Sequence, residues 1–409
     1  MIKKIHQYLS QITLAQLFPL VILFIFLCVG MATYEIAATH YYFVYQADGF
    51  LHGSVFYHTL PSTPLDSSEG LGGQYYWPLG PFPAVLLMPF VALFGIVPMQ
   101  GVFQLLLTIL AFYLCVRLAR HFGYSSANSL WLALAFVFGS VYMGIALLPY
   151  AWQFATAIST VLVLATLDEH FNRRRYWLMG LYLACAFATR FTAGLAVIYV
   201  IIDTLVTTTV PIKLRFKQLV KLLTPIILVG ISLLWLNYAR TGSMLDNGYR
   251  TSIMDESYQS RAREQYGLFS LKNIPTNLYY YFMIPPQPVY QEEGMFHIIP
   301  PYFKTDIGIG FFYLSPIFLL IVRSVWKKKE QLLAGITAGI ILFVLLTYYA
   351  INAFMLGTYY LADILSFLFI LLILSSYQAN LGLFAKIVIF FSCIINLYFF
   401  TAIPWHGIF

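Results

Sequence analysis

HYYFVYQADGFLHG (His40–Gly53) and DSSEGLGGQYYWPLGPFPA (Asp66–Ala84) interrupt a chain that is otherwise almost continuously apolar. With 60% hydrophobic and 10% charged residues among 409, the composition excludes an ordinary soluble domain, for which roughly 25% charge is usual. Apolar runs near 17–36, 81–97, 101–120, 128–148, 151–169, 176–206, 222–239, 308–324, 332–351, 356–376 and 385–403 flank these polar stretches. Several exceed the ~18 residues that a helix needs to cross hydrocarbon. With no water there to satisfy the backbone, helices are the spanning element. The expected fold is all-α and polytopic, one transmembrane domain over 1–409 with about eleven spans and no separate soluble domain.

The net charge of +7 is not a nucleic-acid footprint, because the cations sit at segment ends rather than on one contiguous patch. Lys3-Lys4, Arg117/Arg120, Arg173–Arg175, Lys213/Arg215/Lys217/Lys221 and Lys327–Lys329 mark cytoplasmic loops instead. This puts the N-terminus inside an inner or plasma membrane and leaves a first outer loop at 38–98 and a second at 240–306. Charge parity then requires that the run 81–97 not cross. Its four prolines, Pro81, Pro83, Pro89 and Pro98, remove helix hydrogen bonds and favour a juxtamembrane segment. The run 176–206, basic at both flanks, reads as a tight pair broken near Arg190. Cys28, Cys115, Cys185 and Cys393 all lie in apolar runs without metal or disulfide spacing. They read as small buried hydrophobes.

A helix over 40–52, stopped by Gly53, places Tyr41, Tyr45, Asp48 and His52 on one face. A carboxylate, an imidazole and two phenols there suit general-base work, although an interfacial amphipathic helix carries the same residues. Asp66, in a turn-rich stretch, is a second acid, with Tyr76 in the aromatic segment that follows it. Arg190, within an apolar run, is a functional candidate because intramembrane charge is costly. Its planar fork suits phosphate. Arg240, Arg250 and Lys304 in the second loop are further phosphate candidates. Asp363, inside the run 356–376, needs a buried partner, and Arg190 is one possibility. No Walker loop, H-E-x-x-H or G-x-S-x-G motif is present.

Five motifs, ADGFLHG (47–53), GQYYWPLGPFPAVLLMPFVALFG (73–95), FATRFT (187–192), DNGY (246–249) and YYLAD (359–363), resemble in kind and order those of the GT-C superfamily of polytopic glycosyltransferases. The resemblance is particularly to bacterial relatives of protein O-mannosyltransferases and aminoarabinose transferases. The resemblance implies a sugar donor on polyprenyl phosphate and a glycan, lipid or protein acceptor at the outer face. It implies an acidic base near the start of the first outer loop, a role that falls to Asp48 with Asp66 as the alternative. Arg190 would face the donor phosphate, with His40, Tyr45, His52, Tyr76, Arg240, Tyr249, Arg250, Lys304 and Asp363 as the remaining substrate contacts. No cofactor or metal ligand set is expected, a divalent-metal requirement stays open, and the partners are membrane lipids rather than nucleic acid. A lipid-linked oligosaccharide flippase or polymerase, or a non-catalytic membrane assembly factor, is the alternative class.

Overall fold

The computed structural model describes residues 21, 40–207, 209–254, 256–287, 308–323, 326–351, 358–375 and 379–405. The apolar run 17–36 apart from Val21, the Lys3-Lys4 pair, Cys28 and Lys304 therefore lie outside the described residues. Helices dominate: α1 (Tyr42–Leu51), α2 (Phe82–Phe94), α3 (Gln100–His121), α4 (Ser126–Val137), α5 (Tyr142–Leu147), α6 (Ala151–Asn172) and α7 (Tyr176–Phe187) come first. They are followed by α8 (Val197–Val206), α9 (Ile212–Thr241), α10 (Tyr258–Tyr266), α11 (Lys329–Thr347), α12 (Ala362–Ser375) and α13 (Leu383–Trp405). The one sheet among the described residues is a two-stranded ribbon, β1 (Ser68–Glu69) against β2 (Tyr75–Tyr76).

Four of these helices, α3, α6, α9 and α11, are long and apolar enough to cross a membrane, and six shorter apolar helices accompany them. The apolar side chains of α9 point outward: Ile227, Leu228, Ile231, Leu234 and Trp235 are all exposed. Such a face is stable only against hydrocarbon or another apolar surface. The α6 helix is the opposite case, buried along most of its length in the centre of the bundle.

Several expected segments differ in detail, each for a local reason. The run 81–97 forms α2, whose 13 residues include Pro89 and extend about 20 Å at 1.5 Å per residue, short of a ~30 Å hydrocarbon core. The run 128–148 divides into α4 and α5 at Gly139-Ser140. The run 308–324 is not one helix but a helical turn at Phe311–Leu314 and a 3-10 stretch from Pro316 to Arg323. Pro316 has no N–H to continue the first turn. The run 176–206 turns at Arg190 and returns, bringing Thr204 Oγ1 to 3.5 Å from Tyr176 Oη.

A helix break strands backbone carbonyls, and at several of these breaks a buried amide side chain meets them. Asn396 Nδ2 donates to the carbonyls of Phe138 (3.1 Å), at the α4–α5 break, and Leu314 (2.8 Å), before Pro316. Gln104 donates to the carbonyls of Ile145 and Leu148 at the end of α5, and Gln100 to that of Pro149 (3.0 Å). Asn277 does the same for Leu346 (2.8 Å) and Tyr348 (2.7 Å) at the end of α11. Leaving one such group unmet costs about 1–3 kcal/mol. Asn396→Leu, close in volume, is therefore expected to lower the unfolding midpoint of the detergent-solubilised chain clearly, while Ile395→Leu, on the exposed side of α13, leaves it unchanged. Equal midpoints for the two variants would show that Asn396 does not hold these breaks.

Candidate functional site

The two expected outer loops are knitted together by their own backbones. Asp66 N donates to the carbonyl of Ile253 (2.7 Å) and Ile253 N to that of Ser67 (2.8 Å). Ser68 Oγ donates to the carbonyl of Gly248 (2.8 Å). Arg263, on α10, braces the second loop through the carbonyls of Tyr249 (3.0 Å) and Ser252 (3.0 Å) and through Ser252 Oγ (2.6 Å). Gly80 brings the first loop onto the Arg190 turn, where a Cβ would lie 2.1 Å from the Ala188 carbonyl oxygen, so only glycine fits. Together these segments enclose a cavity of about 920 Å³ with an apolar side formed by Phe187, Phe191, Leu233 and Leu234.

Arg190 and Asp363 meet beside this cavity, 173 positions apart in sequence. Arg190 Nε lies 3.0 Å from Asp363 Oδ1 and Nη2 lies 3.1 Å from Oδ2, a bidentate pair. Thr192 Oγ1 donates to the same carboxylate. The rings of Tyr359 and Tyr360 stand 5.6 and 5.5 Å from the Arg190 guanidinium carbon, within the range of cation–π attraction. The Asp363 side chain is wholly buried and that of Arg190 is 10% exposed. In such a setting the pair holds only because each charge answers the other.

Arg240 has no such partner. It ends α9, is buried, and lies over the Tyr76 ring at 4.6 Å. Its Nε donates to the carbonyl of Val55 (3.1 Å) and its Nη1 to that of Trp77 (3.3 Å). Among the described residues, Nη2 has no hydrogen-bond acceptor and no carboxylate lies within ion-pair distance of the guanidinium. Burial pushes the Tyr76 hydroxyl up to about 12, outweighing the opposing pull of Arg240. That phenol is therefore neutral at physiological pH and supplies no counter-charge.

The expected site residues separate into two groups. His40, Asp66, Arg190, Arg240 and Tyr249 line the cavity, and Asp363 touches it through Arg190. Asp66 sits at φ 61°, a left-handed turn position that aspartate tolerates. Burial holds His40 below its ordinary 6.5, hence neutral at pH 7, and raises the Tyr249 hydroxyl well above the usual phenol range. Asp48, Tyr45, His52, Tyr76 and Arg250 are not part of the cavity lining. The shared face of α1 exists, with Tyr41 stacked on Tyr45 at 5.2 Å and His52 Nδ1 3.4 Å from Asp48 Oδ1. Asp48 also accepts from Thr59 Oγ1 (3.3 Å), in a local cluster at the end of α1.

Sequence reasoning passed over Thr192, Tyr348 and Tyr349, which line the cavity with Tyr359 and Tyr360. The signal available was two Tyr-Tyr doublets, at 348–349 and 359–360, each at the edge of an apolar run. Among the described residues, no group of three or more His, Cys, Asp or Glu could hold a metal ion. No family model, no curated protein and no solved structure matches this chain.

Removing one partner of a buried pair costs about 3–5 kcal/mol, whereas replacing both with apolar residues costs far less. Asp363→Leu alone should therefore lower the thermal midpoint more than Arg190→Met/Asp363→Leu together. A double variant less stable than both single variants would mean that the two residues are not coupled.

Proposed function

We propose that this chain is a multi-pass membrane glycosyltransferase, similar to the GT-C superfamily, that moves a sugar from a polyprenyl-phosphate donor to an acceptor hydroxyl. The observation that carries the reading is that Asp66 and the uncompensated Arg240 line one cavity. A base and an anion seat are the two parts that this transfer needs from the protein. Phe191 and Leu234 line the cavity and are also exposed on the outside of the bundle. A prenyl chain enters between them from the lipid side without leaving hydrocarbon.

In this reading Asp66 takes the proton from the acceptor hydroxyl as its oxygen attacks the anomeric carbon. The bond between that carbon and the phosphate oxygen breaks, and its electron pair leaves with the polyprenyl phosphate. Arg240, which lines the cavity without a carboxylate partner, stabilises the leaving phosphate as its charge develops. Arg190 is held by Asp363 and acts mainly to position the Tyr359–Tyr360 wall, against which a sugar ring packs. The protonated Tyr249 hydroxyl is a donor for sugar oxygens. Asp48 has no chemical step and serves the end of α1.

The orientation follows from charge. Arg117 pairs with Asp168, Arg175 with Glu169, and Lys329 and Arg174 with Asp203, all near the ends of α3, α6, α7, α8 and α11 remote from the cavity. By the positive-inside rule those ends face the cytoplasm, so the cavity opens outward. About eleven crossings in all belong to this reading.

The test is transfer of labelled sugar from a polyprenyl-phosphate pool to cell-envelope acceptors by the full chain in liposomes. Asp66→Asn is expected to reduce the rate by about 10²-fold or more, and Asp48→Asn to leave it near that of the parent. Parent-like transfer by Asp66→Asn would refute the role given to Asp66. Translocation of the lipid-linked sugar without any acceptor would favour a flippase instead.

A further inference from the structure

A second cavity, of about 650 Å³, lies between the start of α7, the end of α8 and the start of α9. Four cations line it, Arg174, Arg175, Arg215 and Lys221, and no acidic residue does. The nearby carboxylates are already engaged. Glu169 takes Arg175 bidentately, at 2.9 and 2.7 Å. Asp203 takes Lys329 at 2.6 Å, with Arg174 at 3.9 Å and His170 at 3.5 Å. Arg215 and Lys221 pair with no carboxylate among the described residues. Arg215 Nη1 donates to the carbonyl of Leu205 (2.7 Å), while its buried Nε has no acceptor. This is a cradle for an anion with several oxygens, with two unanswered charges facing it.

The surroundings identify the anion's source. Trp177 and Leu214 line the same cavity and are 59% and 47% exposed. A tryptophan beside clustered arginines is characteristic of the membrane interface, where the ring sits at headgroup level. Along α9, Arg215 and Arg240 are 25 positions apart in one helix. At 1.5 Å per residue that is about 37 Å, close to the distance between the headgroup zones of the two leaflets. Basic pockets between helices at that level bind anionic lipid headgroups.

We propose that this cavity is a binding site for the phosphate headgroup of an anionic phospholipid, in the leaflet opposite the first cavity. Arg215 and Lys221 hold the phosphate oxygens, Arg174 and Arg175 rim the site, and the acyl chains run along the exposed apolar face of α9. The site is independent of the glycosyltransferase reading, because it shares no residue with the first cavity.

The experiment is retention of phosphatidylglycerol against phosphatidylcholine by the full chain, extracted from vesicles of equal proportions and measured by native mass spectrometry. The expected result is a several-fold preference for phosphatidylglycerol that Arg215→Gln/Lys221→Gln removes. The control, Lys213→Gln/Lys217→Gln, loses the same charge from residues outside the cavity and should keep the preference. Equal loss in both double variants would overturn the proposal in favour of a diffuse positive surface. Inorganic phosphate titrated onto the unaltered, lipid-loaded chain needs no variant and should displace phosphatidylglycerol. Protection from unfolding by inorganic phosphate with no lipid preference would overturn the lipid assignment and leave a free-phosphate site.

Discussion

Backbone groups in an apolar environment have no water to fall back on, and that constraint governs where this chain is allowed to be irregular. Four of the helix breaks have a buried amide on their carbonyls, Asn396 at two of them, Gln104 and Gln100 at the end of α5 and Asn277 at the end of α11, while at the Arg190 turn the Phe82 N–H meets the Ala188 carbonyl. These side chains come from helices packed across the bundle, so each break is also a tertiary contact. The consequence is functional as well as architectural. The non-helical segments at these breaks, 148–150 and 348–350, supply part of the cavity wall. A continuous helix could not bring Tyr150, Trp152, Tyr348 and Tyr349 to one space.

The two guanidiniums at the cavity obey the same physics with opposite outcomes. Transfer of an ion from water costs several kcal/mol even after relaxation, and a well-formed pair offsets it. Arg190 meets that requirement internally through Asp363, supported by Thr192 and two tyrosine rings. Arg240 meets it only in part, through two carbonyls and the face of Tyr76. Arg240 is thus a buried cation with two neutral acceptors and no counter-ion among the described residues.

Much of this was legible in the sequence because it depends on local chemistry. Gly53 does follow α1, at φ 71°, as a helix-terminating glycine should. The prolines of 81–97 leave α2 too short to span, and Arg190 marks the turn of the 176–206 hairpin. Asp363 in an apolar run implied a partner, and the partner is Arg190. What periodicity cannot supply is the direction in which a shared face points. Tyr41, Tyr45, Asp48 and His52 do share a face, but Phe43 and Ala47 fix the rotation of α1 by burying against Trp77 and Phe154. That packing comes from residues more than 25 positions away, so whether this face meets the cavity was not contained in the local pattern. The break at Pro316 was visible as a residue, yet hydropathy averaged over it.

Asp66 and Arg240 are positioned by one connected set of bonds rather than separately. Arg240 holds the carbonyls of Val55 and Trp77, which bracket the loop carrying Asp66. The same loop is fixed at Asp66–Ser67 to Ile253, and through Ser68 to Gly248, immediately beside Tyr249. A displacement of α9 therefore moves the cation, the acid and the phenol together. The end of α9 is thereby tied to both loops through main-chain carbonyls and amides. The outward apolar face of that helix and the polar loops above it form a single mechanical unit.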